Sequence, residues 1–205
     1  MSGFDIQVVE ADVLVLGGGV SGYRAASSAA AKGVSVLHAY RARGASQYIF
    51  GFNVPLAHKD PRDNPETYSQ DIIRGGYWLN DQNLVQVLVD GAKAALEELV
   101  DIGVPFARNG EKFDQLALSG NTYPRSVYHP HGLGPLAIGK LDEYCSRLGV
   151  NKYSGWKAIA LLQDGTEVVG ALLSKTNSSK LLAVHARATV LATGGIGQIY
   201  ADSTY

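Results

Sequence analysis

Cysteine is almost absent from this 205-residue chain, which carries Cys145 and no other. A lone thiol excludes a disulfide framework and a cysteine-based metal cluster, and it fits a reducing compartment. Net charge is nearly absent too, at −1. That balance offers no basic face to nucleic acid or to an anionic membrane, so no nucleic-acid partner is expected. Long apolar runs are missing. The longest, around residues 13–16 and 189–192, have the length of a strand, so the chain is not expected to span a membrane itself. The opening Met1-Ser2-Gly3-Phe4-Asp5-Ile6-Gln7 carries an early acid and lacks the basic region of a signal peptide. These absences point to a soluble, cytoplasmic chain.

What is present is an ordinary globular composition, 46% hydrophobic, at a length suited to one domain that buries a core without staples. Residues 12–16, Asp-Val-Leu-Val-Leu, read as a strand buried on both faces of a parallel sheet. Glycines follow at 17, 18, 19 and 22, then an alanine-rich stretch of strong helix propensity closed by Gly33. Val34 to Ala39 reads as a second strand, which completes a βαβ unit with a right-handed crossover.

Residues 40–66 read as an irregular loop rich in Gly, Pro and Arg. Asn80 or Asp81 is a suitable N-cap for a helix over Asn83 to Ile102, with Leu84, Val87, Leu88, Ala92, Ala95, Leu96 and Leu99 at helical spacing. A second glycine- and proline-rich stretch covers 107–135, followed by a helix from about Pro135 to Leu148. Ile159 to Leu162 and Val168 to Leu173 form a hairpin across Gln163-Asp164-Gly165. Lys180 to Val184 and Thr189 to Ala192 are further strands, the last running into Thr193-Gly194-Gly195. The fold class is α/β: a Rossmann-like dinucleotide-binding domain with a central parallel sheet and a small β-hairpin or meander.

Gly17-Gly18-Gly19-Val20-Ser21-Gly22 matches G-x-G-x-x-G, here with a strand before it and a helix after it. In this pattern Gly17 permits the tight turn, Gly19 lets backbone approach a pyrophosphate, and Gly22 lets the helix pack closely on the strand. The helix start then turns its free N–H groups toward the phosphates. An acid about 20 residues beyond the fingerprint, which would bind ribose hydroxyls, is missing: no Asp or Glu stands between Val34 and Lys59. His38, Tyr40 and Arg41 occupy the end of the second strand instead. This weakens a plain NAD reading more than an FAD one. Arg41 either meets a 2′-phosphate, which would favour NADP, or is a solvated surface arginine.

Three ordered stretches resemble one known family. Ala11-Asp12-Val13-Leu14-Val15-Leu16-Gly17-Gly18-Gly19 resembles the first strand and phosphate loop of the fumarate reductase, succinate dehydrogenase and L-aspartate oxidase flavoproteins. Gly76-Tyr77-Trp78-Leu79-Asn80-Asp81, with Leu99 to Phe106, resembles a central block of the same proteins, and Ala188-Thr189-Val190-Leu191-Ala192-Thr193-Gly194-Gly195 their second flavin motif. The resemblance implies that residues 1–205 are the amino-terminal portion of an FAD-binding domain, incomplete without a second chain or segment. It places Ser46 and Gln47 beside FAD, and Ala158 where the chain passes the adenine. Ala192, Thr193 and Gly194 become the second backbone contact. Family members of membrane complexes attach FAD to a histidine in this region. Gln47 stands there in this sequence, so noncovalent FAD is implied.

The implied reaction is hydride transfer between FAD and a dicarboxylate-like or related unsaturated acid. The implied partners are a polypeptide carrying the capping domain and an electron-transfer iron–sulfur subunit. The proton donor and substrate ligands of the family lie beyond the matched region, so no catalytic residue is assigned. A noncatalytic cofactor-holding or assembly subunit, and an NADP-dependent oxidoreductase, stay open as alternatives. His129 and His131 flank Pro130 with no third ligand placed, so no metal is expected. Arg125 and Tyr128 are given structural roles, and Cys145 is read as a buried inert thiol.

Overall fold

The computed structural model describes residues 6–203; the reading of the first five residues, and Thr204 and Tyr205, lie outside the described residues. Strand β1 covers Ile6–Leu16, helix α1 Val20–Ala30 and strand β2 Val36–Tyr40. β1 outruns the apolar run at 12–16 because its first half pairs residue for residue with Leu181–Ala186 of the last strand. Backbone pairing extends it where apolarity does not. In α1 the buried face is Gly22, Tyr23, Ala26 and Ser27, at helical spacing. Gly33, at φ +78°, turns the chain out of the helix in the left-handed region that glycine occupies freely.

The next residues hold more regular structure than their glycines and prolines suggest. Strand β3 covers Gly51–Asn53, α2 Pro65–Gly75 and α3 Gln82–Asp101. The short strands β4 (Arg108–Asn109), β5 (Lys112–Phe113), β6 (Gln115–Leu116) and β7 (Ser126–Tyr128) precede α4, Gly134–Arg147. β8 (Asn151–Ser154), β9 (Trp156–Asp164), β10 (Glu167–Lys175) and β11 (Leu181–Leu191) complete the order. The expected strands at 180–184 and 189–192 are thus one continuous strand.

The chain divides into two compact units, one reaching Gln47 and resuming at Leu141, the other running from Tyr48 to Lys140. In the first, a six-stranded sheet has the order β8-β2-β1-β11-β10-β9. β8, β2, β1 and β11 are mutually parallel; β10 and β9 are antiparallel, so the expected hairpin belongs to the main sheet. The sheet curls until β9 lies against β2. Leu14, Leu16, Leu37, Ala171, Leu173, Leu182 and Val184 fill its core. Each fully buried leucine contributes roughly 1.5–3 kcal/mol by leaving water. β11 lies inside the sheet, although β10 pairs only with Leu181–His185 and β1 alone accompanies its later residues.

In the second unit, α2 starts where Asn64 accepts a hydrogen bond from the Thr67 amide and Pro65 takes the first turn. The reading of 40–66 as wholly irregular is corrected here: Asn64-Pro65-Glu66-Thr67 is a helix-start signal. Asp81 caps α3 as expected, accepting from the Asn83 and Leu84 amides. The buried stripe of α3 is Val85, Val89, Ala92 and Leu96. Leu84, Val87 and Leu88, which share the helical spacing, are exposed. α3 carries two apolar stripes, and packing uses the one that meets Val54, Tyr68 and Val127. Among the described residues no helix is long and apolar enough to cross a membrane.

A buried ion network holds the second unit. Arg125 is fully buried; its Nη2 lies 2.8 Å from Asp63 Oδ1 and its Nη1 2.7 Å from Asp71 Oδ2. Asp71 also accepts from the Thr122 amide at 2.8 Å and the Thr122 hydroxyl at 2.6 Å. Burial opposes ionisation of Asp71, but the Thr122 and Arg125 bonds outweigh it and hold its carboxyl below the usual range. Burial pushes Asp63 upward despite its own bond from Arg125. The structural role read for Arg125 is therefore a central one. Tyr128 donates to Asp114 Oδ2 at 2.9 Å and stacks on Phe50.

Candidate cofactor site

The carboxyl ends of β1 and β11 bring the two glycine segments together. The Ala192 amide donates to the Leu16 carbonyl, which carries the pairing past the end of β11. Gly17 sits at φ +129°, and a Cβ there would stand 2.0 Å from the Ala192 carbonyl oxygen and 3.1 Å from the Thr193 nitrogen. Only glycine allows these two backbones to touch. Gly22 obeys the same logic one turn on, where a Cβ would lie 1.9 Å from the Gly17 carbonyl oxygen. Both glycine roles read from the fingerprint hold in the fold.

Gly19 is the N-cap of α1 and offers no side chain to its amides, and no acid stands in the first turn. The start of a helix so built carries positive partial charge and unmet donors, which suits an anion. Ser46 comes to the same place, its Oγ accepting from the Val20 amide at 3.2 Å. Gly44, at φ +66°, lets the 41–47 segment approach Gly19. Ser21 and Arg41 are exposed, Gln47 is half-buried, and Gly194 is exposed at φ +79°. Ala158 lies farther along, paired with Leu173 and packed on the core beside Trp156. Trp156 itself is half-buried against Tyr153.

Beneath the loop lies an aromatic group. His38 is fully buried, its Nε2 2.7 Å from the Gly17 carbonyl oxygen. Its ring centroid is 4.8 Å from those of Tyr23 and Tyr40, whose hydroxyls meet at 3.1 Å. Tyr40 stands against Gly18, where a Cβ would lie 2.9 Å from its ring. Sequence reasoning places His38 at the strand end but misses its bond to the loop. The signal is a lone histidine in the apolar run Val36-Leu37-His38-Ala39. His129 Nδ1 accepts from the His131 amide, an ordinary turn contact.

The chain from residue 12 to 205 matches the family model described as FAD binding domain. It belongs to that family. It is 32% identical to one subunit of the fumarate reductase (CoM/CoB) of Methanothermobacter marburgensis, over 95% of this chain and 37% of that protein. It is 35% identical to the L-aspartate oxidase of Halobacterium salinarum, over 94% of this chain and 39% of that protein. The chain thus spans well under half the length of these relatives. Among solved structures, Mycobacterium smegmatis Sdh1 in complex with UQ1 superposes with a TM-score of 0.85 at 25% identity, covering 95% of this chain and 35% of that one. The resemblance to the fumarate reductase, succinate dehydrogenase and L-aspartate oxidase flavoproteins holds, and FAD is the cofactor to which this family points. The residues fit it: the glycine cradle, the acid-free helix start and Ser46 suit a pyrophosphate.

Proposed function

We propose that residues 1–205 form the amino-terminal portion of one FAD-binding domain, in an oxidoreductase that moves a hydride between FAD and a dicarboxylate or related unsaturated acid. The meeting of Gly17 with Ala192 and Thr193 beside the start of α1, where the N-cap Gly19 offers no side chain, carries this reading. FAD supplies the hydride chemistry, while the protein binds and orients it. Gly17, Gly19, Val20, Ser21, Gly22 and Ser46 would hold the pyrophosphate. Tyr40 and Arg41 would flank the adenosine, with Ala158 near the adenine. Ala192, Thr193 and Gly194 would supply the second backbone contact. Gln47 has no imidazole to bond covalently, so FAD is held noncovalently.

The rest of the site would come from a further segment or polypeptide carrying a capping domain, with an iron–sulfur subunit passing electrons, in the cytoplasm. Two observations support a covering partner. The relatives are far longer than this chain. Leu191, Ile196, Ile199 and Tyr200, around the second glycine segment, are exposed. Apolar area of this kind marks a contact surface. The acid substrate is tested on the native complex with a reduced dye as electron donor. Fumarate or a related unsaturated acid is expected to reoxidise the dye. A fully flavinated complex inert toward a panel of such acids would overturn the substrate class.

A further inference from the structure

The Gly17 carbonyl poses a local problem. It sits at the mouth of a site suited to an anion, where a carbonyl oxygen facing outward would repel phosphate. In the structure it turns inward against Gly22, into a space too tight for any Cβ. A buried carbonyl needs a donor. The donor is His38, fixed by the Val15–His38 register of β1 and β2. A carbonyl only accepts, so the hydrogen is on Nε2 and neutral His38 leaves Nδ1 as an acceptor.

We propose that His38 is a positioning residue of the cofactor loop: its neutral Nε2–H form holds the Gly17 carbonyl inward, so that the amides of the loop and of α1 face the FAD pyrophosphate. The inference rests on the FAD reading above. It gives cofactor retention an acid limit. His38 Nδ1 is buried with no partner among the described residues, so a proton there would place a charge and an unmet donor in the core. The groups around the ring do not offset this. The Tyr23 hydroxyl on α1 is engaged by the Tyr40 hydroxyl on β2 and by the Asp142 carboxylate, and none of these groups meets Nδ1. Asp142 on α4 favours the proton, but it is paired at 2.8 Å with Lys152 on β8, which opposes it. Burial dominates and holds the imidazole below its usual value of 6.5.

The sign follows. Above that value His38 is neutral whether the loop is closed or open, and closure costs no proton. As pH falls below it, the open loop takes up a proton that the closed loop refuses, so the closed form loses stability. The experiment measures FAD release from the intact flavinated protein, by flavin fluorescence, between pH 7.5 and 5.5. Wild type should release FAD faster as pH falls. His38→Gln keeps a side-chain N–H donor and cannot be protonated in this range; it should retain FAD at pH 7.5 and show a flat profile. His38→Phe should weaken FAD on the order of tenfold at pH 7.5, the scale for a buried acceptor left unmet. Equal acid sensitivity in wild type and His38→Gln would overturn the proposal, even if His38→Phe fails to fold. Wild type that holds no flavin at pH 7.5 would instead refute the FAD reading.

Discussion

Arg125→Ala is expected to unfold the Tyr48–Lys140 unit. The guanidinium is the counter-charge for Asp63 and Asp71, whose side chains are 0% and 4% exposed. Removing it leaves buried Asp63 with no counter-charge, and leaves Asp71 with only the half-exposed Arg74, 2.7 Å from its other oxygen. Breaking a buried pair from one side costs about 3–5 kcal/mol, a large share of a domain's whole stability. Lysine cannot rescue the position, because one ammonium does not reproduce a fork that serves two acids. Adding Asp63→Asn and Asp71→Asn to Arg125→Ala should recover part of the loss by removing the unpaired charge. Thermal and urea denaturation of the holoprotein measure both effects. A loss below about 1 kcal/mol for Arg125→Ala would show the network to be ornamental.

Gly22→Val is expected to cost the protein its cofactor. Even the first added carbon would sit 1.9 Å from the Gly17 carbonyl oxygen and 3.1 Å from His38 Nε2. The helix must retreat or the loop must turn over, and either change moves the amides meant for the pyrophosphate. Overpacking of this kind costs typically ~1–3 kcal/mol, so FAD affinity should fall about 5- to 150-fold. Gly91→Ala is the control, since a Cβ there meets nothing within 4 Å and the residue lies inside α3. That change should stabilise by about 0.5–1 kcal/mol and leave flavin content unchanged. FAD content of the purified variants decides the matter, and undiminished flavin in Gly22→Val would contradict the packing role of Gly22.

These two sites differ in how far the sequence announces them. The glycine loop is legible because its constraints are local: strand, turn and helix follow within one βαβ unit, and the backbone geometry admits few residues. Thr193-Gly194 is legible through the apolar strand before it, although Val190 and Leu191 of that strand are exposed and its junction with Gly17 spans most of the chain. The Arg125 network is not legible. Its partners lie 62 and 54 residues away, and a surface ion pair would present the same residue types. The facing of α3 is hidden for another reason. Leu84, Val87 and Leu88 make as good a stripe as Val85, Val89 and Leu96, and only the tertiary partner distinguishes them. The run of β11 through 185–188 is likewise set by pairing with β1, where the sequence offers His-Ala-Arg-Ala. Gly33 and Asp81, by contrast, act locally and are read correctly.

The most direct measurement is the chromophore of the native protein. The purified holoprotein is precipitated with acid, and the supernatant and pellet are analysed by absorbance and mass. On the proposed reading FAD is expected in the supernatant at about one per chain, because Gly17, Gly19, Ser46 and the Ala192–Gly194 segment would hold it by contact and Gln47 would form no bond to it. Nicotinamide nucleotide without flavin would contradict the cofactor site itself, and flavin fluorescence that stays with the protein pellet would contradict its noncovalent hold.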